Sequence, residues 1–519
     1  MVRSTFHTLE TSKRSLFTQQ AAINTVGHNI ANANTKGYSR QVVSMTAARP
    51  IEAYGLSRSV APGQLGTGVE FTDIRRIRNA FLDDQYRNQN KLVGTYTIQA
   101  DTLDKLEAII NEPSDAGLRT VLAQFWNAWS DLSKDPENVT GRKIVRESAL
   151  ALVDALNSIA RQLNDLAADL TSNIEVKATE INTYITTIAS LNTEIRRIEG
   201  LGDKANDLRD QRDLLVDELS RIANVSVVES ETGYTVSIGG IVVVDGGTAT
   251  QVTADMLVAA YQNGNLNSGE VHGMIVSRDV YVAEYRRQLD SLANTLANGE
   301  FRIVIPAGSH LPQDFANAQN PPLSVPLAND TVVTVKGING LHQLGYTLEG
   351  GNPPATGGLF FVASDGSGTI TAGNIALNPA IVNDVNKIAT SMRLDSDGAV
   401  VRGNNTLALL MSELKEITFT FDETATGNGV TNAKIGDYYN ALVGEIGVIA
   451  NRTKRNMQNA QMQLDQVEAN RQSVSGVSLD EEMSDLIRFQ HAYNAAARLM
   501  TTFDEMLNKL INGTGVVGR

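Results

Sequence analysis

The side chains best suited to proton transfer or metal ligation near neutral pH are six histidines, His7, His28, His272, His310, His342 and His491. No two are close enough in sequence to form a local ligand pair, and none stands in an H-E-x-x-H arrangement, so surface or packing roles account for them. Cysteine is absent, which removes thiol nucleophiles, disulfides and thiolate metal sites together. No Walker A loop and no G-x-S-x-G elbow is present. Asp395-Ser396-Asp397-Gly398 starts like a calcium loop, but its glycine comes too early and no later acid completes the ligand set, so a hairpin turn is expected there. Glu481, Glu482 and Asp485 form an acidic cluster whose place in the first turns of a helix is explained by the helix dipole. Trp126 and Trp129, three apart on a helix, read as core. The sequence therefore predicts no catalytic residue, no cofactor and no metal ligand.

Without chemistry to position, the elements themselves carry the information. The chain has 519 residues, 42% hydrophobic and 20% charged, the composition of an ordinary globular protein long enough for several domains. Aromatics supply only 5%, so the cores are built mainly from Leu, Ile, Val and Ala. Against 44 basic side chains stand 58 acidic ones, and the net charge of -14 argues against a general nucleic-acid binder. Arg3, Lys13, Arg14, Lys36, Arg40 and Arg49 face only Glu10 within residues 1–50, a bias that fits a solvated helix face better than a basic arm. No apolar run of about 18 residues exists, so no membrane span is expected. Residues 1–30 lack the continuous apolar core of a cleaved signal. A cysteine-free chain suits the cytoplasm, and equally a protein exported unfolded.

Residues 2–31 read as a helix in which Val2, Phe6, Leu9, Leu16, Ile23 and Ile30 follow a 3-4 spacing, interrupted by Lys13, Gln20 and Gly27. That average of 3.5 is the repeat of a coiled-coil seam. The Asn- and Gly-rich stretch at 29–37 ends it. Residues 40–75 look extended and broken by Pro50, Gly55, Pro62, Gly63, Gly66 and Gly68. Helical segments follow at 80–111, 115–133, 137–198 and 203–223. Period-two alternation at 225–244, with turns at Thr232-Gly233 and Gly239-Gly240, predicts a set of β-hairpins. Helix returns near 276–298; 300–435 reads as β-rich with short helices around 383–391 and 406–414; 436–475 is helical again. In the last helix Leu479, Leu486, Phe489, Tyr493, Ala496, Met500, Phe503, Leu507 and Leu510 keep the 3-4 spacing over about nine turns, broken only by Glu482. Ser478-Leu479-Asp480-Glu481 marks its start and Asn512-Gly513 its stop.

A helix with so long an apolar stripe is not stable alone in water, since helical stability comes mostly from packing. A second stripe of the same repeat lies at the opposite end of the chain, so the two ends are expected to pair. The fold expected is mainly α with a β-rich outer domain, in a nested layout: residues 1–75 as axial helix and arm, 76–299 as helical body with a hairpin insert at 225–250, 300–435 as the β-rich domain, 436–477 as return helix, and 478–519 as C-terminal axial helix. Leu499, beside Met500, shows apolar surface off the main seam, and such surface normally marks an interface. An ordinary intramolecular helix pair closing one globular protein is the plainer alternative.

Residues 29–41, N-I-A-N-A-N-T-K-G-Y-S-R-Q, resemble the N-terminal motif of bacterial flagellar rod, hook and hook-associated proteins, and residues 478–511 resemble the matching C-terminal motif. Within that superfamily the interior is similar to the hook-associated proteins that join hook to filament. The similarity runs through Asn111-Glu112-Pro113, Gln124-Phe125-Trp126-Asn127-Ala128-Trp129, residues 208–219, Leu341-His342-Gln343-Leu344-Gly345-Tyr346 and Gly358-Leu359-Phe360-Phe361. The resemblance implies a structural subunit exported unfolded by the flagellar type III apparatus without cleavage, located outside the cell at the hook–filament junction. The terminal helices would form an inner layer around the export channel, the helical body the next layer, and the β-rich domain the outside. Implied partners are the flagellar hook protein, a second junction protein (hook-associated protein 3), neighbouring copies, and an export chaperone holding the C-terminal helix. The implied assembly residues are Leu9, Leu16, Ile23 and Ile30 with Leu479, Leu486, Phe489, Tyr493, Met500, Phe503, Leu507 and Leu510. Asn29, Asn32, Asn34, Gly37 and Tyr38 would form the turn that directs the chain outward. Residues 300–336, holding Pro306, Pro312, Pro321, Pro322 and Pro326, depart from the family pattern and read as an insertion. A hook or rod subunit, or a secreted adhesin or glycan-binding protein displayed through residues 300–435, are the alternatives.

Overall fold

Long amphipathic stretches free of proline become long helices in the computed structural model, which describes residues 5–50, 66–110, 114, 117–230, 232–349, 353–421 and 431–513. Val2, Gly55, Pro62, Gly63 and Asn111-Glu112-Pro113 lie outside the described residues. Helix α1 (Thr5–Ala31) leads into strands β1 (Gln41–Ala47) and β2 (Val69–Arg76), followed by α2 (Ala80–Ile110), α3 (Leu118–Lys134), α4 (Val139–Glu199) and α5 (Asn206–Ile222). Strands β3 (Val225–Ser230), β4 (Gly233–Ile238), β5 (Ile241–Asp245) and β6 (Thr248–Ala249) come next, then α6 (Ala254–Gln262), α7 (Glu270–Val276) and α8 (Ala283–Asn298). The fold is mostly helical with small sheets.

The chain forms two compact units, each made of segments distant in sequence. The first comprises Met1–Thr95, Glu175–His272 and Met457–Arg519, and the second Tyr96–Ile174 and Gly273–Asn456. In the first unit, α1 packs along the last helix of the chain and also against the β1–β2 hairpin. That hairpin pairs Gln41 with Arg76 through to Ala47 with Val69, with a bulge between Ser44 and Met45. The predicted hairpin set is a four-stranded antiparallel meander, β3-β4-β5-β6. Its tight β4–β5 turn is made by Gly239 and Gly240 at φ 53° and 79°, a conformation glycine adopts without a Cβ penalty. Helix α6 was not predicted. It is short, capped by the Thr253 hydroxyl, and buries only Leu257 and Ala260, too few apolar positions to set a period. Helix α7 begins at Glu270, earlier than the predicted 276, because Gly269 and Gly273 masked its start; Ser277–Val282 then continue as a π-helical segment into α8.

The second unit is built around aromatic side chains. Phe125 and Trp129 of α3 meet Phe360, and Phe125 also meets Phe361, with ring centroids 5.6–6.2 Å apart, while Trp126 packs on Phe125 at 5.0 Å; both tryptophans are buried, as expected. The stretch from 300 to 435 is less β-rich than its composition suggests. Among its described residues are three two-stranded ribbons: β7 (Glu300–Ile305) with β8 (Thr331–Lys336), β9 (Phe361–Ala363) with β10 (Ile375–Leu377), and β11 (Phe419–Thr420) with β12 (Asn432–Ala433). The short helices α9 (Gln313–Ala318), α10 (Gly337–Gln343), α11 (Pro379–Asn383) and α12 (Thr406–Glu413) lie between them. The helix expected at 383–391 is α11, lying upstream: Asn378 caps it, Pro379 fills its first turn, and Asp384 ends it by capping a separate 3-10 turn. Residues 395–398 form the expected turn, with Asp395 accepting from the Asp397 and Ala399 amides and Gly398 at φ 78°. Two long helices close the chain, α13 (Ile435–Ser475) and α14 (Leu479–Gly513).

Residues 300–336 leave and return at one point. The Gly337 amide donates to the Gly299 carbonyl at 2.7 Å, and β7 and β8 pair along their whole length. Gly337 has φ 57°, and a Cβ there would lie 2.2 Å from the Ala297 carbonyl carbon. Glycine is required for so close an approach.

Candidate assembly site

The site is built where the end of α1 turns. The Thr35 amide donates to the Asn32 carbonyl at 2.9 Å and the Tyr38 amide to Thr35 at 3.2 Å, closing successive turns. Gly37 sits at φ 80°, where a Cβ would come within 3.0 Å of the Leu214 side chain, so the motif needs glycine for both conformation and clearance. Asn34 is exposed and Asn32 half-buried. Lys36 reaches out to Glu218, and Tyr38 packs edge-on against His28 with centroids 5.5 Å apart.

Asn29 is buried at the centre of the turn, and both ends of its amide are used. Its Oδ1 accepts from the Tyr38 hydroxyl at 2.7 Å and the Gln41 amide at 3.0 Å, while its Nδ2 donates to the Gln41 carbonyl and to Glu482 Oε2, each at 2.9 Å. Arg40 lies alongside, its Nε 2.6 Å from Glu482 and its Nη1 2.6 Å from Glu481. The bond from Asn29, near the end of α1, to Glu482, in the first turns of α14, makes the two terminal helices antiparallel. Burial, helped by Asp207, Asp210 and Glu482, holds the Tyr38 phenol well above its ordinary range, so it stays a neutral donor to Asn29.

Beneath the turn lies a lattice of buried charge. Asp210, Asp213 and Asp217 recur at helical spacing on the buried face of α5, with the exposed Asp207 one turn before them. Ser39 gives both its amide and its hydroxyl to Asp210, at 2.9 and 2.8 Å. Arg76 contacts Asp210 and Asp213 at 2.6 and 2.9 Å, and Arg78 makes a forked pair with Asp83 while reaching Asp213 at 3.2 Å. Arg87 and Arg471 converge on Asp217 at 2.8 and 2.5 Å. Burial alone would raise the Asp213 carboxyl, but Arg78 and Arg76 outweigh it and the net shift is downward. At Asp210 burial wins and the shift is upward despite Arg76. Asp210, Asp213 and Asp217 fall within residues 208–219 and Ser39 within 29–41, stretches that carry the family resemblance, but apolar periodicity singles out no salt-bridge partner; the carboxylate spacing on one face of α5 is the available signal.

The predicted seam residues divide by burial. On α1, Leu9, Leu16, Ile23 and Ile30 are half-buried, while Ser12, Thr18, Ala22, Thr25, Val26 and Asn29 are the buried positions. On α14, Leu486, Phe489, Tyr493, Met500, Phe503 and Leu507 are half-buried, and only Glu482 and Ala496 are buried. Leu479 and Leu510 stand exposed, as do Met483, Ile487, Leu499, Met506 and Ile511, and Phe6 and Phe17 on α1 are 69% and 62% exposed. An apolar surface of that extent is characteristic of an interface. Among the described residues, no His, Asp or Glu cluster is arranged to hold a metal ion, and no helix is long and apolar enough to cross a membrane.

Comparison with known proteins agrees with this construction from both ends. Residues 9–38 match the family described as flagella basal body rod protein, and residues 469–513 the one described as flagellar basal body rod FlgEFG protein C-terminal. The class is thus that of flagellar axial proteins. Between them, residues 103–299 match the flagellar hook-associated protein FlgK helical domain. Flagellar hook-associated protein 1 of Bacillus subtilis is 34% identical over 535 residues, covering 99% of this chain and 100% of its own. That of Escherichia coli is 27% identical over 95% of this chain and 97% of its own. The solved structure of the flagellar hook junction protein FlgK from Burkholderia pseudomallei shares the fold at a TM-score of 0.51 and 14% identity, covering 76% of this chain and 100% of that one. The chain belongs to the flagellar hook-associated protein 1 family. It is a structural protein of the flagellum and not an enzyme.

Proposed function

We propose that the chain is the subunit joining hook to filament, and that it assembles through α1 and α14. The supporting observation is the terminal pair itself: two antiparallel helices whose inner faces meet while Phe6, Phe17, Met483, Ile487, Leu499 and Met506 stay exposed. Burying such residues contributes about 1.5–3 kcal/mol each, and neighbouring copies carry the same stripes. In this reading the hook protein lies on one side, a second junction protein on the other, and a chaperone covers α14 before export. The division at residues 75, 299, 435 and 477 goes with it, the two terminal segments supplying the axial helices. The alternative of an adhesin displayed through residues 300–435 has no supporting observation.

Deleting residues 479–519 tests the reading. The expected result is a soluble, folded body that is secreted yet leaves cells without attached filaments. Normal motility and filament retention would refute it.

A further inference from the structure

Glu482 occupies a position that the apolar pattern of α14 assigns to a hydrophobic residue. Positions 482, 486, 489, 493, 496 and 500 are spaced by four and three, so they share one face. Its side chain is buried, at 1% exposure, between Asn29 Nδ2 at 2.9 Å and Arg40 Nε at 2.6 Å. Asn29 cannot turn away, because Tyr38 and Gln41 hold the rest of its amide. On the flank of the same turns, Leu479, Met483 and Ile487 follow one another four residues apart and are each about half exposed. The first half of α14 therefore carries two apolar ridges, separated by a rotation of about 100° around the helix axis. The hydrophobic effect is non-directional and does not choose between them. A single buried polar group does choose, because only one orientation satisfies it.

We infer that Glu482 is an orientation pin: by engaging Asn29 and Arg40 it fixes the rotation of α14 about its axis. Leu486 and Phe489 are thereby turned to α1, and Leu479, Met483 and Ile487 are held outward for a neighbouring copy. Glu482 is thus a positioning residue, and the inference rests on the assembly reading only for what the outward ridge meets.

The chain lacks cysteine, so a single introduced thiol reports its own surroundings. Met483→Cys and Ala496→Cys are made separately in the full-length chain, and their rates of maleimide modification are compared in the monomer. In the parent background the thiol at 483 should react on the order of tenfold faster or more, because access controls thiol reactivity. Adding Glu482→Leu should keep the helix content and shrink that ratio severalfold. An unchanged ratio overturns the inference. If circular dichroism shows that Glu482→Leu does not fold, Glu482→Gln, which keeps an acceptor for Asn29 and loses the charge facing Arg40, is read in the same way. A failure here leaves the junction reading intact, whereas a parent protein that never joins the flagellum sinks that reading without changing the ratio.

Discussion

Asn29 and His342 are both buried polar side chains with every hydrogen-bonding atom in use, and each leads to a measurable consequence. Replacing Asn29 with Ala would leave Gln41, Tyr38 and Glu482 short of partners at once. Unsatisfied buried groups cost about 1–3 kcal/mol each, so Asn29→Ala should destabilise the first unit by roughly 3 kcal/mol, seen as a lower midpoint in urea unfolding. At His342 the Ala389 amide donates to Nε2 at 2.9 Å, which leaves Nδ1–H to donate to the Gly358 carbonyl at 2.6 Å. The ring must be neutral to do both. Burial lowers its pKa from 6.5 to about 4, so the unfolded chain takes up the proton first as the solution is acidified. The stability from the neutral ring is complete above pH 6.5 and is lost as pH falls through about 4, a loss of roughly 3 kcal/mol. Melting temperatures between pH 7 and 4 should fall more steeply for the parent than for His342→Gln.

Legibility at the scale of the element depended on length and period. The long helices were readable to within a few residues because Leu, Ile and Val recur at helical spacing between clear stops, such as Asp135-Pro136 after α3 and the glycine pair around Leu201 after α4. The ribbons β9–β12 were not readable as units, since strands of two or three residues hold no period, and α6 was missed for the same reason. In the assembly site, apolar spacing pointed to the terminal stripes, while the turn was legible from the Asn- and Gly-rich stretch at 29–37 and from the resemblance of residues 29–41 to the family motif. The salt-bridge lattice stayed hidden because Arg76, Arg78 and Arg471 meet α5 only through tertiary packing. Residues 300–336 give a prediction at this scale. Since Gly299 and Gly337 are already hydrogen-bonded neighbours, excising 300–336 and joining them should leave the second unit folded. Far-ultraviolet circular dichroism and a cooperative melt check it; loss of the transition would show that the excursion supports the body.

For the whole molecule, the exposed residues of α1 matter as much as those of α14. Phe6 and Phe17 are eleven residues apart, three helical turns, and so lie on nearly the same face. Both are largely exposed, so Phe17→Ser should leave the monomer's melting temperature within about 0.5 kcal/mol equivalent of the parent, as surface changes usually do. On the proposed function it should nonetheless reduce incorporation into flagella, scored by filament retention; normal retention would argue against that face as a contact between copies.

The hydrogen bond from Asn29 to Glu482 joins residues 453 positions apart. A contact of that sequence separation is among the last a chain can make, because the closure entropy of everything between must be met first. The opening helix thus waits for the closing one throughout synthesis and folding. The β1–β2 hairpin shelters part of it early, but the face that meets α14 stays uncovered until that helix is made, so the pairing of α1 with α14 marks a late step of folding written into the topology.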